Sequence, residues 1–119
     1  MTNTEDTDCV TLLRAEIIAR LNDQLRKSGE GGTIVITRNV RGLEGLNAPE
    51  LATALANYGG FDEDNNPHGE RDMGHFVLFD TDLYFKIDYF EQDLKFGSDD
   101  PADASITHRI LTIMTKADL

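Results

Sequence analysis

Residues 68 to 75 contain side chains that can exchange protons or hold a metal ion. Four of them lie within eight residues: His68, Glu70, Asp72 and His75. An imidazole beside a carboxylate is a common general acid–base pair, and one histidine with several carboxylates is a conceivable metal site. No nucleophile stands in a recognisable motif and no cofactor fingerprint occurs. A small metal-dependent or acid–base enzyme centred on His68, Glu70 and Asp72 is therefore kept as an alternative.

The loop before this segment partly matches a calcium-binding loop. Asp62, Asp64 and Asn66 have the spacing of its first ligands, but Pro67 replaces the turn glycine and Met73 replaces the closing glutamate. Asp and Asn in turns usually satisfy nearby backbone groups instead. We therefore predict a hydrogen-bonded structural loop, with no metal and no cofactor.

Acidic residues are concentrated between Asp62 and Asp103. This stretch holds thirteen acidic residues against three basic ones, so ten of the eleven net negative charges of the chain lie there. Such charge opposes direct binding to nucleic acids and to anionic membranes, and it favours a partner with a basic surface. The same charge could also serve only to keep a small protein soluble.

Bulk composition indicates one globular domain. The chain has 119 residues, of which 39% are hydrophobic, enough for a single core. A lone cysteine, Cys9, excludes an internal disulfide and suits a reducing compartment. No signal peptide or membrane span is recognisable. A cytoplasmic location is the resulting expectation.

Hydrophobic periodicity predicts six elements that position the acidic loops. Apolar residues at spacings of three and four predict a first helix from Asp8, after a flexible tail of residues 1–7. The predicted order is α-β-α-β-β-α. A strand from Thr33 to Val40 is followed by a helix that is capped by Asn47 and closed by Gly59-Gly60. A hairpin of His75 to Phe79 and Leu83 to Phe90 then turns at Asp80-Thr81-Asp82, and a last helix begins at Asp103. This order indicates an α+β domain over residues 1–119, with helices packed on a small, mainly antiparallel sheet.

Charged residues of the predicted helices are expected to face solvent. The first helix carries an apolar stripe of Val10, Leu13, Ile17, Ile18, Leu21 and Leu25, and Arg14, Glu16, Arg20, Asp23 and Arg26 fall outside it. The last helix is expected to bury Ile106, Ile110, Ile113, Met114 and Ala117 and to turn His108, Arg109 and Lys116 elsewhere.

Several short motifs along the chain are distinctive. They are Pro67-His68-Gly69-Glu70-Arg71-Asp72-Met73-Gly74, Phe85-Lys86-Ile87-Asp88-Tyr89, Gly97-Ser98, Asp100-Pro101 and Arg109-Ile110-Leu111-Thr112-Ile113-Met114. With them the chain resembles a small domain family of unknown function carried largely on bacterial plasmids and integrated elements. Arg71 and Met73 depart from the family pattern, which has His and Phe there. The resemblance implies a mobile-element gene with a role in transfer, persistence or evasion of host defence.

Charge and resemblance together lead to a functional hypothesis. We expect a non-enzymatic acidic protein that partly mimics nucleic acid and thereby inhibits a nucleic-acid-handling defence protein of the host, in the manner of anti-restriction or anti-CRISPR proteins. The expected partner-binding residues are Asp62, Glu63, Asp64, Glu70, Asp72, Asp80, Asp82, Glu91, Asp93, Asp99 and Asp100. A further alternative is an antitoxin-like or oligomeric accessory protein, such as a homodimer, that uses Tyr84 and Phe90 on the second face of the hairpin.

Overall fold

A four-stranded mixed sheet forms the centre of the computed structural model. The structure describes the backbone of residues 4–119 and the side chains of residues 13–119. The elements are α1 (Thr4–Ser28), β1 (Gly32–Ile36), α2 (Arg38–Arg41), α3 (Ala48–Ala56), β2 (Met73–Leu78), β3 (Thr81–Glu91), β4 (Thr107–Thr115) and a 3-10 helix (Lys116–Asp118). The strand order is β1-β4-β3-β2, in which β1 pairs parallel to β4 and the other two pairings are antiparallel. The predicted α+β class is confirmed.

All three helices contribute to one hydrophobic core on one face of the sheet. Leu83, Phe85 and Ile87 of β3 alternate with outward-facing residues, as expected for a sheet covered on one side. They pack with Leu111 and Ile113 of β4, which lie opposite them in register. The helices supply Leu25 from α1, Val40 from α2, and Leu51 and Leu55 from α3. The predicted core face of the hairpin is confirmed.

The predicted C-terminal helix is wrong, because residues 107–115 form the central strand β4. Alternate residues of this segment are buried, from Thr107 through Arg109 to Thr115. Polar residues at these inward positions hide the period of two, and the remaining apolar residues also fit helical spacing. Arg109, expected to point away from the core, is only 1% exposed.

The predicted strand from Thr33 to Val40 ends early, at Ile36. The Thr37 hydroxyl accepts a hydrogen bond from the Val40 N–H at 3.3 Å and so caps α2. Asp118 stabilises this corner by accepting hydrogen bonds from the Thr115 backbone and the Thr37 hydroxyl at 2.9 and 2.7 Å. These bonds lower the pKa of Asp118 to about 2. The short helix therefore depends on a contact with the end of the chain.

The other predicted helices and the hairpin are confirmed with shifted ends. Asn47 caps α3 by accepting a hydrogen bond from the Glu50 N–H at 3.0 Å, but the helix closes at Asn57 rather than at Gly59-Gly60. The hairpin turn consists of Phe79 and Asp80, which both have positive φ, as a type I′ turn requires. Helix α1 begins at Thr4, before the predicted start at Asp8. Residues 1–3 of the predicted tail and the Asp8 side chain lie outside the described residues.

Candidate protein interface

The eleven predicted partner-binding carboxylates lie in separate parts of the molecule. The loop between α3 and β2 carries Asp62, Glu63, Asp64, Glu70 and Asp72, the hairpin tip carries Asp80 and Asp82, and the segment after β3 carries Glu91, Asp93, Asp99 and Asp100. Asp82 and Glu91 mark opposite ends of β3, which at about 3.3 Å per residue are roughly 30 Å apart. The acidic groups therefore do not share one surface.

Two of the eleven, Glu70 and Asp72, are directed into the structure. The Glu70 carboxylate accepts a hydrogen bond from the Tyr89 hydroxyl at 2.8 Å. The Asp72 carbonyl accepts one from the Ile87 N–H at 2.7 Å, which attaches the loop to β3. Burial raises the pKa of the Asp72 carboxyl, and the nearby Glu70 charge raises it further. Both residues fasten the loop to the sheet.

Arg71, the basic residue between them, also faces inward. Its guanidinium forms a two-pronged ion pair with Asp23 of α1, with N–O distances of 2.7 to 3.1 Å. Burial opposes ionisation of Asp23, but hydrogen bonds from Arg71 and Arg26 outweigh it and lower the pKa of that carboxyl. Arg71 has a positive φ of 53°, so the backbone turns sharply to make this contact. The prediction that Asp23 and Arg26 face solvent is wrong.

Arg26 is almost fully buried and joins α1 to α3. One of its terminal nitrogens donates to the carbonyls of Leu55, Ala56 and Tyr58 at 2.9 to 3.1 Å, where α3 ends. Carbonyls at the C-terminal end of a helix attract a cation. The prediction that Arg14, Glu16 and Arg20 lie on the helix surface agrees with their ion pairs at exposed or half-exposed positions.

A second buried network lies beneath α1, around Asn22. The Asn22 side chain is fully buried, donates to the Tyr89 hydroxyl at 2.8 Å and accepts from Nε of Arg109 at 2.8 Å. Arg109 also donates to the Pro101 carbonyl and stacks on the Tyr89 ring at 5.1 Å. Burial lowers the pKa of Arg109 and raises that of Tyr89. This network holds the segment after β3 against the sheet. The sequence analysis did not predict it, because its members are polar residues at core positions, where hydrophobic periodicity gives no signal.

The residues that resembled a calcium loop form a turn. The Asp62 carboxylate accepts hydrogen bonds from the N–H groups of Asp64 and Asn65 at 2.9 and 3.0 Å. The Asn66 side chain accepts from the Arg71 N–H at 2.8 Å. Glu63 and Asp64 are exposed on this turn. Within residues 13–119, no three His, Cys, Asp or Glu side chains are grouped closely enough to hold a metal ion.

The hairpin tip carries acidic groups beside a histidine and a lysine. The Asp82 carboxylate lies 2.8 Å from Nε2 of His75 on the neighbouring strand. Lys116 lines the same shallow depression as Asp80 and Asp82. Lys116 therefore offsets part of the negative charge of the tip.

The segment after β3 forms a projecting acidic loop. We call Glu91, Asp93, Asp99, Leu94 and Phe96 the acidic end. The loop is closed by hydrogen bonds from the Glu91 N–H to the Phe96 carbonyl at 2.9 Å and from the Ser98 N–H to the Tyr89 carbonyl at 3.0 Å. Leu94 and Phe96 are 47% and 70% exposed. The loop thus presents two large apolar side chains among carboxylates, with the exposed Lys95 between them in sequence.

Like charges are close together at the acidic end. A hydrogen bond with the Asp93 side chain and the negative charges of Asp93 and Asp99 raise the pKa of Glu91. Asp100 differs, because its carboxylate pairs with Arg14 of α1 at 2.6 Å. Sequence reasoning identified these carboxylates but missed Leu94 and Phe96. Two large apolar residues in an otherwise polar loop were the available signal.

No α-helix within residues 4–119 packs on the second face of the hairpin. Tyr84 and Phe90 are half-buried there, and an apolar groove of about 300 Å³ runs beside Tyr84, Met73 and Met114. The imidazole of His75 packs near Tyr84, with ring centroids 4.8 Å apart. This face is available for contacts with another molecule.

The site geometry defines a small α+β protein with a projecting acidic loop and no grouped metal ligands in its described part. The family of proteins of unknown function DUF3768 matches residues 36–118, and the chain belongs to that family. No curated protein and no solved structure matches the chain. In residues 4–119, every helix is too short or too polar to span a bilayer.

Proposed function

We propose that this protein is a non-enzymatic binding protein whose acidic end engages a basic groove on a nucleic-acid-handling protein. The observation that carries the proposal is Phe96, which is 70% exposed on a loop bordered by Glu91, Asp93 and Asp99. Protein interfaces commonly place an aromatic anchor inside a polar rim. The carboxylates supply the charge that a phosphate-binding groove attracts.

The distribution of the remaining charge supports this choice of surface. Arg26 and Arg109 are buried, and Arg71, whose side chain is 26% exposed, is paired with Asp23, so three of the eleven basic residues are turned inward. The remaining eight basic residues face a chain that has 22 acidic ones. At the acidic end Asp93 and Asp99 lie close enough to Glu91 to raise the pKa of its carboxyl, and one exposed cation, Lys95, lies in the same loop. A basic partner gains most where repulsion between like charges is relieved by binding.

Hydrogen bonds to β4 hold the base of the acidic end in place. Arg109 holds the Pro101 carbonyl, and the Thr107 hydroxyl donates to the Asp100 carbonyl at 2.9 Å. These contacts fix the base of the loop to the central strand. A loop ordered before binding loses less conformational entropy when it docks.

The biological role in this proposal is inhibition of a host defence protein. Carboxylates in the basic groove would displace the nucleic acid by competing for the same Lys and Arg side chains. The resemblance to a family carried on mobile elements directs the proposal to restriction or CRISPR proteins. The alternative of an enzyme centred on His68, Glu70 and Asp72 gains no support. The Glu70 carboxylate is half-buried and accepts a hydrogen bond from the Tyr89 hydroxyl.

The test is affinity capture from a bacterial lysate with two variants of equal net charge. One variant carries Asp93→Lys and Asp99→Lys at the acidic end, and the control carries Glu44→Lys and Glu50→Lys at exposed positions near α3. We expect the wild type and the control to retain a nucleic-acid-binding protein that the first variant loses. Wild-type protein should also displace labelled DNA or RNA from that partner, and less so as salt rises.

Two results would contradict the proposal. One is a captured set of proteins that is the same for both variants. The other is a partner whose binding to DNA or RNA is unchanged by excess wild-type protein.

A further inference from the structure

The outer edge of β1 is an unprotected pairing surface. In the strand order β1-β4-β3-β2, β1 has a neighbour on one side only. Its sequence, Gly-Thr-Ile-Val-Ile, contains no charged residue and no proline. Natural edge strands usually carry lysine, proline or a bulge that prevents pairing with another chain. The edge of β1 has none of these within Gly32–Ile36.

The backbone groups that point outward from β1 can be assigned from one hydrogen bond. The Thr37 N–H donates to the Ile113 carbonyl of β4 at 3.1 Å. Since the peptide groups of successive strand residues face opposite sides, Thr33 and Val35 also face β4. Gly32, Ile34 and Ile36 therefore direct their N–H and C=O groups away from the sheet.

The hydrophobic core is open at the same edge. Ile34 lies in register with Leu111 on the core face, yet Ile34 is 37% exposed while Leu111 is fully buried. A cleft of about 410 Å³ runs between β1, the last turn of α1, and α3, and it is lined by Ile34, Ile36 and Leu51. The core thus ends in an apolar cleft beside the unpaired outer edge of β1.

Charges flank the strand in a self-complementary order. Glu30 precedes β1 and Arg38 follows it, and both are exposed. In an antiparallel pair centred on Ile34, each residue pairs with the one equally far on the other side of the centre. Glu30 lies in the turn before β1 and Arg38 is the first residue of α2, so both stand just beyond the paired strands. Their side chains are long enough for Glu30 of one copy to approach Arg38 of the second copy, and the reverse contact forms by symmetry.

We propose that two copies of this chain pair through antiparallel β1 strands centred on Ile34. The outward groups of Gly32, Ile34 and Ile36 in both copies form about six backbone hydrogen bonds. The two four-stranded sheets become one continuous sheet. Each copy also covers the apolar cleft beside β1 of the other. The occupant is a second copy because the strand is uncharged and its flanking charges complement each other under two-fold symmetry.

The test is sedimentation equilibrium of the purified chain with a charge swap. The variants are Glu30→Arg, Arg38→Glu and the double variant, which restores both the net charge and the complementarity. We expect a wild-type dimer, a dimer dissociation constant raised about tenfold in each single variant, and recovery in the double variant. A second pair of variants places lysine at the two sheet edges: Ile34→Lys should give monomers, and Val77→Lys on β2 should not.

Several outcomes would overturn this proposal. A wild-type chain that is monomeric at about 100 μM would do so, since obligate and standard interfaces bind more tightly than this. A dimer that tolerates both single charge reversals and Ile34→Lys would show that another surface pairs. If Ile34→Lys does not fold, as judged by circular dichroism, the charge-swap series decides the question alone.

Discussion

Replacing Tyr89 with phenylalanine removes a single oxygen from the buried network beneath α1. That hydroxyl donates to the Glu70 carboxylate and accepts from the Asn22 side chain, at 2.8 Å in both cases. The Asn22 amide keeps a second acceptor, the Glu70 carbonyl at 2.9 Å. The Glu70 carboxylate loses its donor in a partly buried place. Because hydrogen bonds to charged groups contribute about 1.5–3 kcal/mol, we expect a loss of about 2 kcal/mol in the free energy of unfolding.

The assay is urea denaturation followed by circular dichroism, with Tyr84→Phe as the matched control. Tyr84 lies on the same strand but on the face that no helix covers, so its loss should change the free energy of unfolding by less than about 0.5 kcal/mol. The Tyr89→Phe ring keeps its packing and its stacking with Arg109. The slope of free energy against urea should therefore stay the same in all three proteins.

Equal stability of the two variants would refute this account of the network. It would mean that the Asn22–Tyr89–Glu70 bonds contribute no more than bonds to solvent. A large loss in both variants would instead show that the Tyr84 hydroxyl also contributes to stability.

Two further predictions concern single positions in the fold. A Cβ added to Gly32 would lie 2.2 Å from the Arg109 carbonyl oxygen, so Gly32→Ala should lower the free energy of unfolding, measured by urea denaturation, by about 1–3 kcal/mol. Gly59→Ala is the control and should not destabilise the fold, because nothing lies within 4 Å of its added Cβ. Equal effects of the two substitutions would contradict the packing of β1 on β4. The pKa of Asp118 is lowered to about 2, so its carboxylate stabilises the fold above its unfolded-state pKa of about 4, and this stabilisation is lost as the pH falls toward 2. Asp118→Asn should therefore flatten the dependence of the thermal midpoint on pH between these values. The same slope in wild type and variant would contradict this role of Asp118.

The fold class could be predicted from the sequence because most elements obey one simple period. The hairpin shows clear alternation in Leu83, Phe85 and Ile87, and α3 has a capped start at Asn47. The prediction of a helix over residues 107–115 was wrong because Thr107, Arg109 and Thr115 are polar yet buried. Their partners come from distant parts of the chain, so no local pattern could indicate that these positions face inward.

The acidic end was only partly predictable for a similar reason. Charge density singled out Asp93 and Asp99, which are indeed exposed, but also Glu70, which is bonded to Tyr89. Sequence distance does not tell whether a carboxylate meets solvent or a buried donor. The exposure of Phe96 depends on how the loop closes on Tyr89 and Glu91, and apolar residues are otherwise expected in a core.

The most direct test of the proposed function is the affinity of the captured partner for Phe96→Ala, measured by calorimetry against the wild type. Phe96 is 70% exposed, so its truncation should leave the thermal midpoint unchanged. We predict that the partner's dissociation constant rises at least about tenfold, as expected when an interface anchor is removed. A partner that binds wild type and Phe96→Ala equally well would contradict the assignment of the acidic end as the binding surface.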